Sequence, residues 1–389
     1  MKKYAAVLCL LFALSSWPSH AVDFGLIVDQ SAGYGGVASG AAADYTGAFV
    51  PRFSALIGGA ADIYISAGLI IEHGSGAARF VPELLRTEFT WLFGIGGLKA
   101  GRMYYSDPLG FIANGLFDGA RVSFYTTLGT FSAGAWYTGL LYKRRADITM
   151  TPREVEAYAV EPFNDFANTY FAPRRVAAAL EWEHLSLGGA LQARAAVIGQ
   201  FDTGGGLHSQ YIEAKGTLPL LRAVTFDMGG CLELIQNDGT FGIAGAAELG
   251  IQAALPTPLR DRLSFTARYS SGGFLPLTTR EQGDILRARL SGLSLLSLDY
   301  TARLFPTLAA GVSSTYFIRS DLETYTAYPV TVDSGGYALG NEFFARLMWN
   351  PFSDLELSLG GGVFLPSLGD AAPGAAAAWR VELNLIFGL

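Results

Sequence analysis

The segment Trp379-Arg380-Val381-Glu382-Leu383-Asn384-Leu385-Ile386-Phe387 alternates apolar and polar side chains almost without interruption. Its odd-numbered residues are all apolar, and three of its four even-numbered residues are polar or charged. Successive side chains of a strand point to opposite faces, whereas a helix would distribute these charges around its surface. The segment therefore predicts a β-strand with one apolar and one charged face.

The same alternation recurs in the segments 85–93, 175–183, 187–194 and 342–349. In a transmembrane barrel the apolar face of such strands meets lipid, and the polar face meets a watery interior. A water-soluble barrel would instead fill its interior with apolar side chains. The alternation fits both arrangements, but aromatic strand ends, an export signal and the many charges that need a watery interior favour the transmembrane barrel.

The export signal is predicted in residues 1–21, which begin with Lys2 and Lys3 and end with Ser19-His20-Ala21. Between these ends lies an apolar stretch that is too short to cross a bilayer as a helix. We expect cleavage of this signal, which leaves residues 22–389 as a single barrel domain. The mature chain then holds only Cys231, so it contains no internal disulfide.

The composition also points to a membrane barrel. Half of the residues are hydrophobic, yet no uncharged apolar run after the signal is long enough for a spanning helix. A closed barrel is the other structure that satisfies every backbone polar group in lipid. Without Lys2 and Lys3 the chain has 25 basic and 34 acidic residues, so its net charge is 25 − 34 = −9. This balance argues against nucleic acid as a partner.

Connector lengths predict the number of strands. Short turns alternate with longer connectors at about 33–44, 106–116, 143–173, 271–283, 320–336 and 366–374, and the short turns are expected on the periplasmic rim. With both termini periplasmic, the strand number must be even. The alternation of polar and apolar side chains in residues 284–304 continues in the same phase across Gly292, so we interpret these residues as one strand. The predicted fold is an all-β, antiparallel, up-and-down barrel of about 18 strands, with 16 as the alternative.

The alternation predicts which charged side chains line the pore. Two roles are open for each of them: a salt-bridged wall that braces the lumen, or a field that orders water and selects ions. Arg102, Arg121, Arg287 and Arg289 are the strongest functional candidates. The predicted pore-lining set is Arg86, Glu88, Arg102, Arg121, Arg175, Glu181, Arg194, Arg268, Arg287, Arg289, Asp299, Arg303, Arg346 and Arg380.

Connector 143–173 is the longest and contains several acidic and aromatic residues. It could fold into the barrel and narrow the pore, or it could form an exposed, variable loop.

Enzymatic activity is not predicted. His73, His184 and His208 are isolated from one another in sequence, and no serine or carboxylate is placed to form a catalytic set with them. Their scarcity also argues against a metal site, and we predict no cofactor.

Several short motifs resemble the alginate-export family of outer-membrane porins. They are Ala100 to Gly110, Phe117-Asp118-Gly119-Ala120-Arg121-Val122, Tyr170 to Arg175, and the closing segments around Gly340-Asn341-Glu342 and Asn350-Pro351. The resemblance implies an 18-stranded channel for anionic or carbohydrate-like solutes. The inward charges predicted here are mixed in sign, whereas an alginate channel is expected to have a strongly basic lumen.

The resulting hypothesis is a porin for passive diffusion of small hydrophilic solutes across the outer membrane. A gated transporter of a hydrophobic or oligosaccharide substrate and a surface adhesin or structural barrel are the alternatives. The expected partners are outer-membrane lipid, the solutes themselves and the barrel assembly machinery, which would recognise the last strand and its Phe387. The oligomeric state is left open.

Overall fold

The computed structural model describes residues 22–37, 40–74, 78–163, 165–278, 280–322, 335–372 and 374–389. The predicted signal, residues 1–21, lies outside them. The described chain forms one 18-stranded antiparallel sheet that closes on itself, because the first strand pairs with both the second and the last. This confirms the predicted fold class and strand number.

The barrel strands follow one another around the wall in chain order. They are β1 (Val22–Val37), β2 (Gly40–Ile57), β3 (Ala61–His73), β4 (Arg79–Phe93), β5 (Gly96–Ser106), β6 (Asn114–Thr126), β7 (Gly129–Tyr137), β8 (Arg175–Leu187), β9 (Leu191–Asp202), β10 (Leu207–Leu221), β11 (Val224–Asn237), β12 (Thr240–Ala254), β13 (Arg262–Ser270), β16 (Leu293–Phe305), β17 (Leu308–Arg319), β18 (Ala338–Phe352), β19 (Leu355–Leu365) and β20 (Ala378–Gly388).

Shorter elements lie in the connectors between these strands. Residues 271–292 carry a two-residue pair, β14 (Glu281–Gln282) and β15 (Ala288–Arg289), outside the barrel sheet. The connector between β7 and β8 contains the helices Lys143–Ala146, Pro152–Ala159 and Phe166–Thr169, and a single 3-10 turn at Pro366–Leu368 follows β19. Among the described residues, no helix has both the length and the apolar character needed to cross a bilayer.

The last strand, β20, has the two faces that its sequence predicts. Val381 and Leu383 are about half exposed on the outer surface, where lipid would cover them. Arg380 and Glu382 form an ion pair with each other, and Arg380 also binds Asp44 of β2 with two hydrogen bonds of 2.9 Å. The alternation in the sequence therefore separates a lipid face from a charged inner face.

The interpretation of residues 284–304 as one strand is wrong. The strand begins only at Leu293, directly after Gly292, whose φ of +65° ends the extended conformation before it. Leu286 and Leu290, which would face lipid in a continuous strand, are instead buried inside the barrel. The count of 18 is still correct, because residues 271–292 add a connector and no further wall strand.

The predicted connector 33–44 is also wrong. β1 and β2 pair along their whole length, up to Val37 opposite Gly40. The glycines that suggest a loop are needed for close strand contact, since a Cβ at Gly35 would lie 2.4 Å from the Trp379 carbonyl oxygen. The predicted connectors 106–116, 143–173 and 366–374 lie between strands, with small changes in their bounds. The connector 271–283 extends to residue 292, and most of the predicted connector 320–336 lies outside the described residues.

Candidate channel lumen

Apolar packing fills one side of the barrel interior. Parts of three connectors, 107–113, 141–150 and 271–277, turn inward and contribute side chains such as Phe111, Ile112 and Ile148. These pack against small and apolar residues on the inner wall, among them Ile198 of β9 and Tyr211 of β10. Of the two open possibilities for connector 143–173, the structure shows each in part: Ala146, Ile148 and Met150 pack inside, whereas most described residues from 152 to 169 are exposed.

A second apolar layer lies against the opposite wall. Ile285 and Leu286 of connector 271–292 pack with Phe317 of β17 and Phe364 of β19. Because Phe274 and Leu277 of the same connector belong to the first layer, this connector crosses the barrel interior from one wall to the other. By packing in both apolar layers, the connector occupies part of the lumen.

A buried carboxylate anchors each of these inward segments. Glu342 of β18 accepts hydrogen bonds from the backbone N–H groups of Asp284, Ile285 and Leu286, at 2.7, 2.9 and 2.8 Å. Three donors satisfy a carboxylate that would otherwise be costly to bury. The side chain thereby fixes the connector at the point where it meets the β18 wall.

Asp107 performs the same task at the start of the connector between β5 and β6. Its carboxylate accepts from the N–H groups of Phe111, Ile112 and Ala113, at 3.0, 3.0 and 2.7 Å. The Leu277 N–H then donates to the Ile112 carbonyl at 2.8 Å. The two inward connectors are thus joined to each other as well as to the wall.

Arg175 at the start of β8 anchors the longest connector. Its side chain is fully buried and donates to Glu154 at 2.8 Å and to Gln200 at 2.6 Å. Glu154 belongs to the helix Pro152–Ala159, where it also completes a capping box with Thr151. One carboxylate therefore both caps this helix and connects it to the barrel wall.

Charged residues also lie between the inward connectors and the barrel wall. On the side of β1–β4, β18 and β20, the wall presents ion pairs that reach the connectors: Arg145 to Glu83 at 3.0 Å, and Arg346 to Asp284 at 3.2 Å. A cavity of about 290 Å³ lies between connector 271–292 and this wall, with Arg287 among its lining residues. Asp44, Asp284 and Arg380 also line this cavity, so its charges are of both signs.

The predicted pore-lining residues occupy three kinds of position. Arg175 is buried by contacts with the connectors. Arg102 is also buried, but it lies on the outer face of β5, opposite in phase to the interior Tyr105, which corrects its predicted position in the pore. Most of the others form ion pairs or hydrogen bonds along the wall: Arg86–Glu88, Arg121–Glu181, Arg268–Glu248, Arg194–Glu183, Arg346–Glu382, Arg380–Asp44, Asp299 with Ser297, and Arg303 with the Pro306 carbonyl.

Arg287 and Arg289 lie in connector 271–292 and not on a barrel strand, which corrects their predicted position. The assignment failed because it depended on the continuous strand 284–304. Arg287 is 43% exposed and lies 3.6 Å from the half-exposed Glu281. Its side chain is therefore partly exposed to solvent, and it lines the cavity beside β1, β2 and β20.

Sequence reasoning missed Asp107, Arg145, Asp147 and Asp284, which are all in connectors. Connectors have no periodic pattern, so the alternation that locates wall charges does not reach them. Asp107 lies within a motif that resembles the alginate-export family, and this was the one available signal. In the part of the chain that the structure describes, no group of three or more His, Cys, Asp or Glu side chains is arranged to hold a metal ion.

Two connector carboxyls have altered acidity. Burial raises the pKa of Asp147 to about 6, and the positive charge of Arg289 partly offsets this rise. Burial also raises the pKa of Asp284, against the opposing effect of Arg346. The charge of the connectors therefore changes with pH.

No protein-family model matches the chain, and no curated protein matches it either. Solved structures match its fold. OpdQ of Pseudomonas aeruginosa has 13% identity and a TM-score of 0.64, over 95% of this chain and 98% of that chain. OccK2 (OpdF) of the same organism, solved in complex with glucuronate, has 13% identity and a TM-score of 0.66 with the same coverage.

The outer membrane protein OprD, also from Pseudomonas aeruginosa, has 14% identity and a TM-score of 0.61, over 95% of this chain and 94% of that chain. These three are OprD and Occ proteins, whereas the sequence motifs resemble the alginate-export family; both kinds are 18-stranded barrels. The fold of the chain is thus that of an 18-stranded outer-membrane porin.

Proposed function

We propose that this protein is a passive outer-membrane channel for small hydrophilic solutes, including anionic and carbohydrate-like ones. The observation that carries the proposal is the closed 18-stranded barrel, which contains a cavity with charged residues of both signs between connector 271–292 and strands β1, β2 and β20. Barrels of this size leave an interior wider than side chains from the wall can fill. Here the connectors occupy part of that interior, and we infer that the remaining space forms a passage for small solutes.

Arginine in the passage supports an anionic or carbohydrate-like solute. A guanidinium stays charged and can bind a carboxylate through two parallel hydrogen bonds. Arg287 presents its side chain from the connector to the cavity that Arg380 lines from the wall. The resemblance of several motifs to the alginate-export family points to the same class of solute, and OccK2 was solved with a sugar acid.

The outer surface of the barrel suggests which other partners the protein contacts. Exposed apolar side chains on the outer faces of the strands would contact outer-membrane lipid, and β20 would carry the signal for the assembly machinery in its alternation and Phe387. Export would depend on the predicted signal in residues 1–21. We propose no catalytic role.

Liposome swelling tests the channel directly. Proteoliposomes that contain the folded barrel are expected to swell in isosmotic glucose or glucuronate, and more slowly in a trisaccharide, because the passage excludes larger solutes. Protein-free liposomes and liposomes with heat-unfolded protein are the controls. Equal, background-level swelling in every solute, with a folded barrel verified by its electrophoretic mobility, would contradict the proposal.

The acidity of Asp147 gives a pH-dependent prediction. With a pKa of about 6, this carboxyl is roughly nine-tenths ionised at pH 7 and one-tenth ionised at pH 5. Lowering the pH through 6 removes a negative charge beside Arg289, so we expect the ratio of cation to anion permeability to fall. Reversal potentials in a salt gradient measure this ratio. Asp147→Asn should remove the step near pH 6, and persistence of that step in the variant would assign it to another group.

A further inference from the structure

The barrel wall contains a seam between β4 and β5. Their ladder runs from Phe93 opposite Gly96 only as far as Thr87 opposite Arg102. Beyond it, residues 83–86 of β4 and 103–106 of β5 have no ladder partner across this boundary in the described structure. At the rise of a strand, four residues correspond to a gap roughly 13 Å long.

Gly101 marks the point where the two strands separate. Its φ is +111°, and a Cβ there would lie 1.7 Å from the Thr87 carbonyl oxygen. Glycine is the residue that permits both this conformation and this close approach. The backbones are therefore in close contact at Gly101, and their ladder ends at Arg102, on the side away from the short turn at residues 94–95.

The Arg102 side chain closes the lower part of the seam. It donates to the Leu84 carbonyl of β4 at 2.5 Å and to the Leu140 carbonyl of the long connector at 2.9 Å. Two further bonds of 2.8 Å join it to Asp118 of β6. With only 6% of its surface exposed, this guanidinium links two wall strands to the connector and replaces the missing ladder.

The connector closes the upper part. The Tyr170 hydroxyl donates to the Pro82 carbonyl at 2.7 Å, and proline has no N–H that would need a partner on this free edge. The rings of Tyr142 and Tyr170 pack against the buried Ile70 and Val81. Side chains and a loop, and not a backbone ladder, thus hold this part of the wall closed.

The outer side of the seam is mostly apolar, and its inner side carries both apolar and charged side chains, among them Glu83 with its ion-pair partner Arg145. Outside, Leu84, Tyr104 and Leu140 are exposed where lipid would cover the barrel. Inside lie the buried side chains of Leu141 and Phe117, which belong to the apolar layer of the lumen. A path through the seam would therefore suit a molecule with an apolar chain on the outer side and a polar group on the inner side.

We propose that this seam is a lateral gate, with Arg102 as its latch, through which single-chain amphiphiles pass between the outer leaflet and the lumen. Withdrawal of residues 138–142 opens the gate. The apolar chain of the amphiphile then occupies the space of Leu140, and its polar group enters the watery lumen. This route goes beyond the axial diffusion of hydrophilic solutes.

The test compares two sulfonates in proteoliposomes. Octanesulfonate partitions into the bilayer but stays charged, and isethionate has the same head group without the apolar chain. Arg102→Ala removes the latch, and the loss of its charge-assisted bonds should raise octanesulfonate uptake about tenfold. Isethionate uptake should stay within about twofold, because the axial passage keeps its charged lining.

Arg262→Ala is the matched control, since it removes an exposed arginine at the start of β13, which pairs with β12 and β16 and has no contact with the seam. It should leave octanesulfonate uptake unchanged. If the alanine variant does not assemble, Arg102→Lys replaces it in the test, because a lysine cannot bind the Leu84 and Leu140 carbonyls and Asp118 in the same geometry. Octanesulfonate uptake that stays at the wild-type level, or that rises in parallel with isethionate, would overturn the lateral gate.

Discussion

Replacing Arg175 with alanine is expected to destabilise the barrel by about 3 to 5 kcal/mol, which is the usual cost of removing one partner of a buried ion pair. Glu154 would remain buried beside Asp202 without the guanidinium that now lies 2.8 Å and 3.7 Å from their carboxylates. The helix Pro152–Ala159 should also detach from the wall. Urea unfolding in lipid vesicles measures the loss of stability, and limited proteolysis of the connector measures the detachment.

Arg194→Ala is the control for this variant. Arg194 lies 4.0 Å from Glu183, and both side chains are well exposed, so the pair should contribute little. If both variants lose a similarly small amount of stability, the ion pair of Arg175 does not anchor the connector.

Replacing Glu342 with alanine is expected to widen the channel. Its carboxylate holds three successive backbone N–H groups of connector 271–292. Alanine would leave these donors unpaired, and the segment around Ile285 should move away from the β18 wall. We expect single-channel conductance to rise on the order of twofold, with larger current fluctuations, because conductance depends on the width of the narrowest section.

Glu356→Ala provides the comparison, since Glu356 is an exposed carboxyl on the neighbouring strand β19. Its removal should leave the conductance near the wild-type value. If the conductance of the Glu342 variant is also unchanged, connector 271–292 does not form the constriction.

A further variant addresses connector 143–173. Deletion of residues 150–168 removes the helix Pro152–Ala159 and part of the apolar layer around Met150. Single-channel conductance should increase, since this layer occupies the lumen next to β8 and β9. A conductance equal to that of the intact chain would exclude the connector from the narrow section.

The wall of the barrel could be predicted from the sequence because lipid and water impose a two-residue period on every strand. In β20 this period places Val381 outside and Arg380 inside, as observed. The same rule failed at residues 284–290, where the apolar side chains also alternate. There the apolar environment is the interior of the barrel and not lipid, and the sequence pattern does not distinguish the two.

The contents of the lumen could be predicted only in part. Alternation identifies Arg102 and Arg175 as residues of the wall, but it does not show that connectors cover them. Arg102 is buried by its contact with Leu140, 38 residues away in the sequence, and Arg175 by its contact with Glu154, 21 residues away. Such contacts arise from the way the connectors fold inward, for which connector sequences carry no periodic signal.

The central claim is an open, charged passage through an 18-stranded barrel, and conductance in planar lipid bilayers tests it most directly. The purified, folded protein is expected to give stable, ohmic openings at neutral pH, with a measurable ratio of cation to anion permeability that shifts toward anions as the pH falls through 6. A folded barrel that inserts into the bilayer and stays electrically silent would contradict the account.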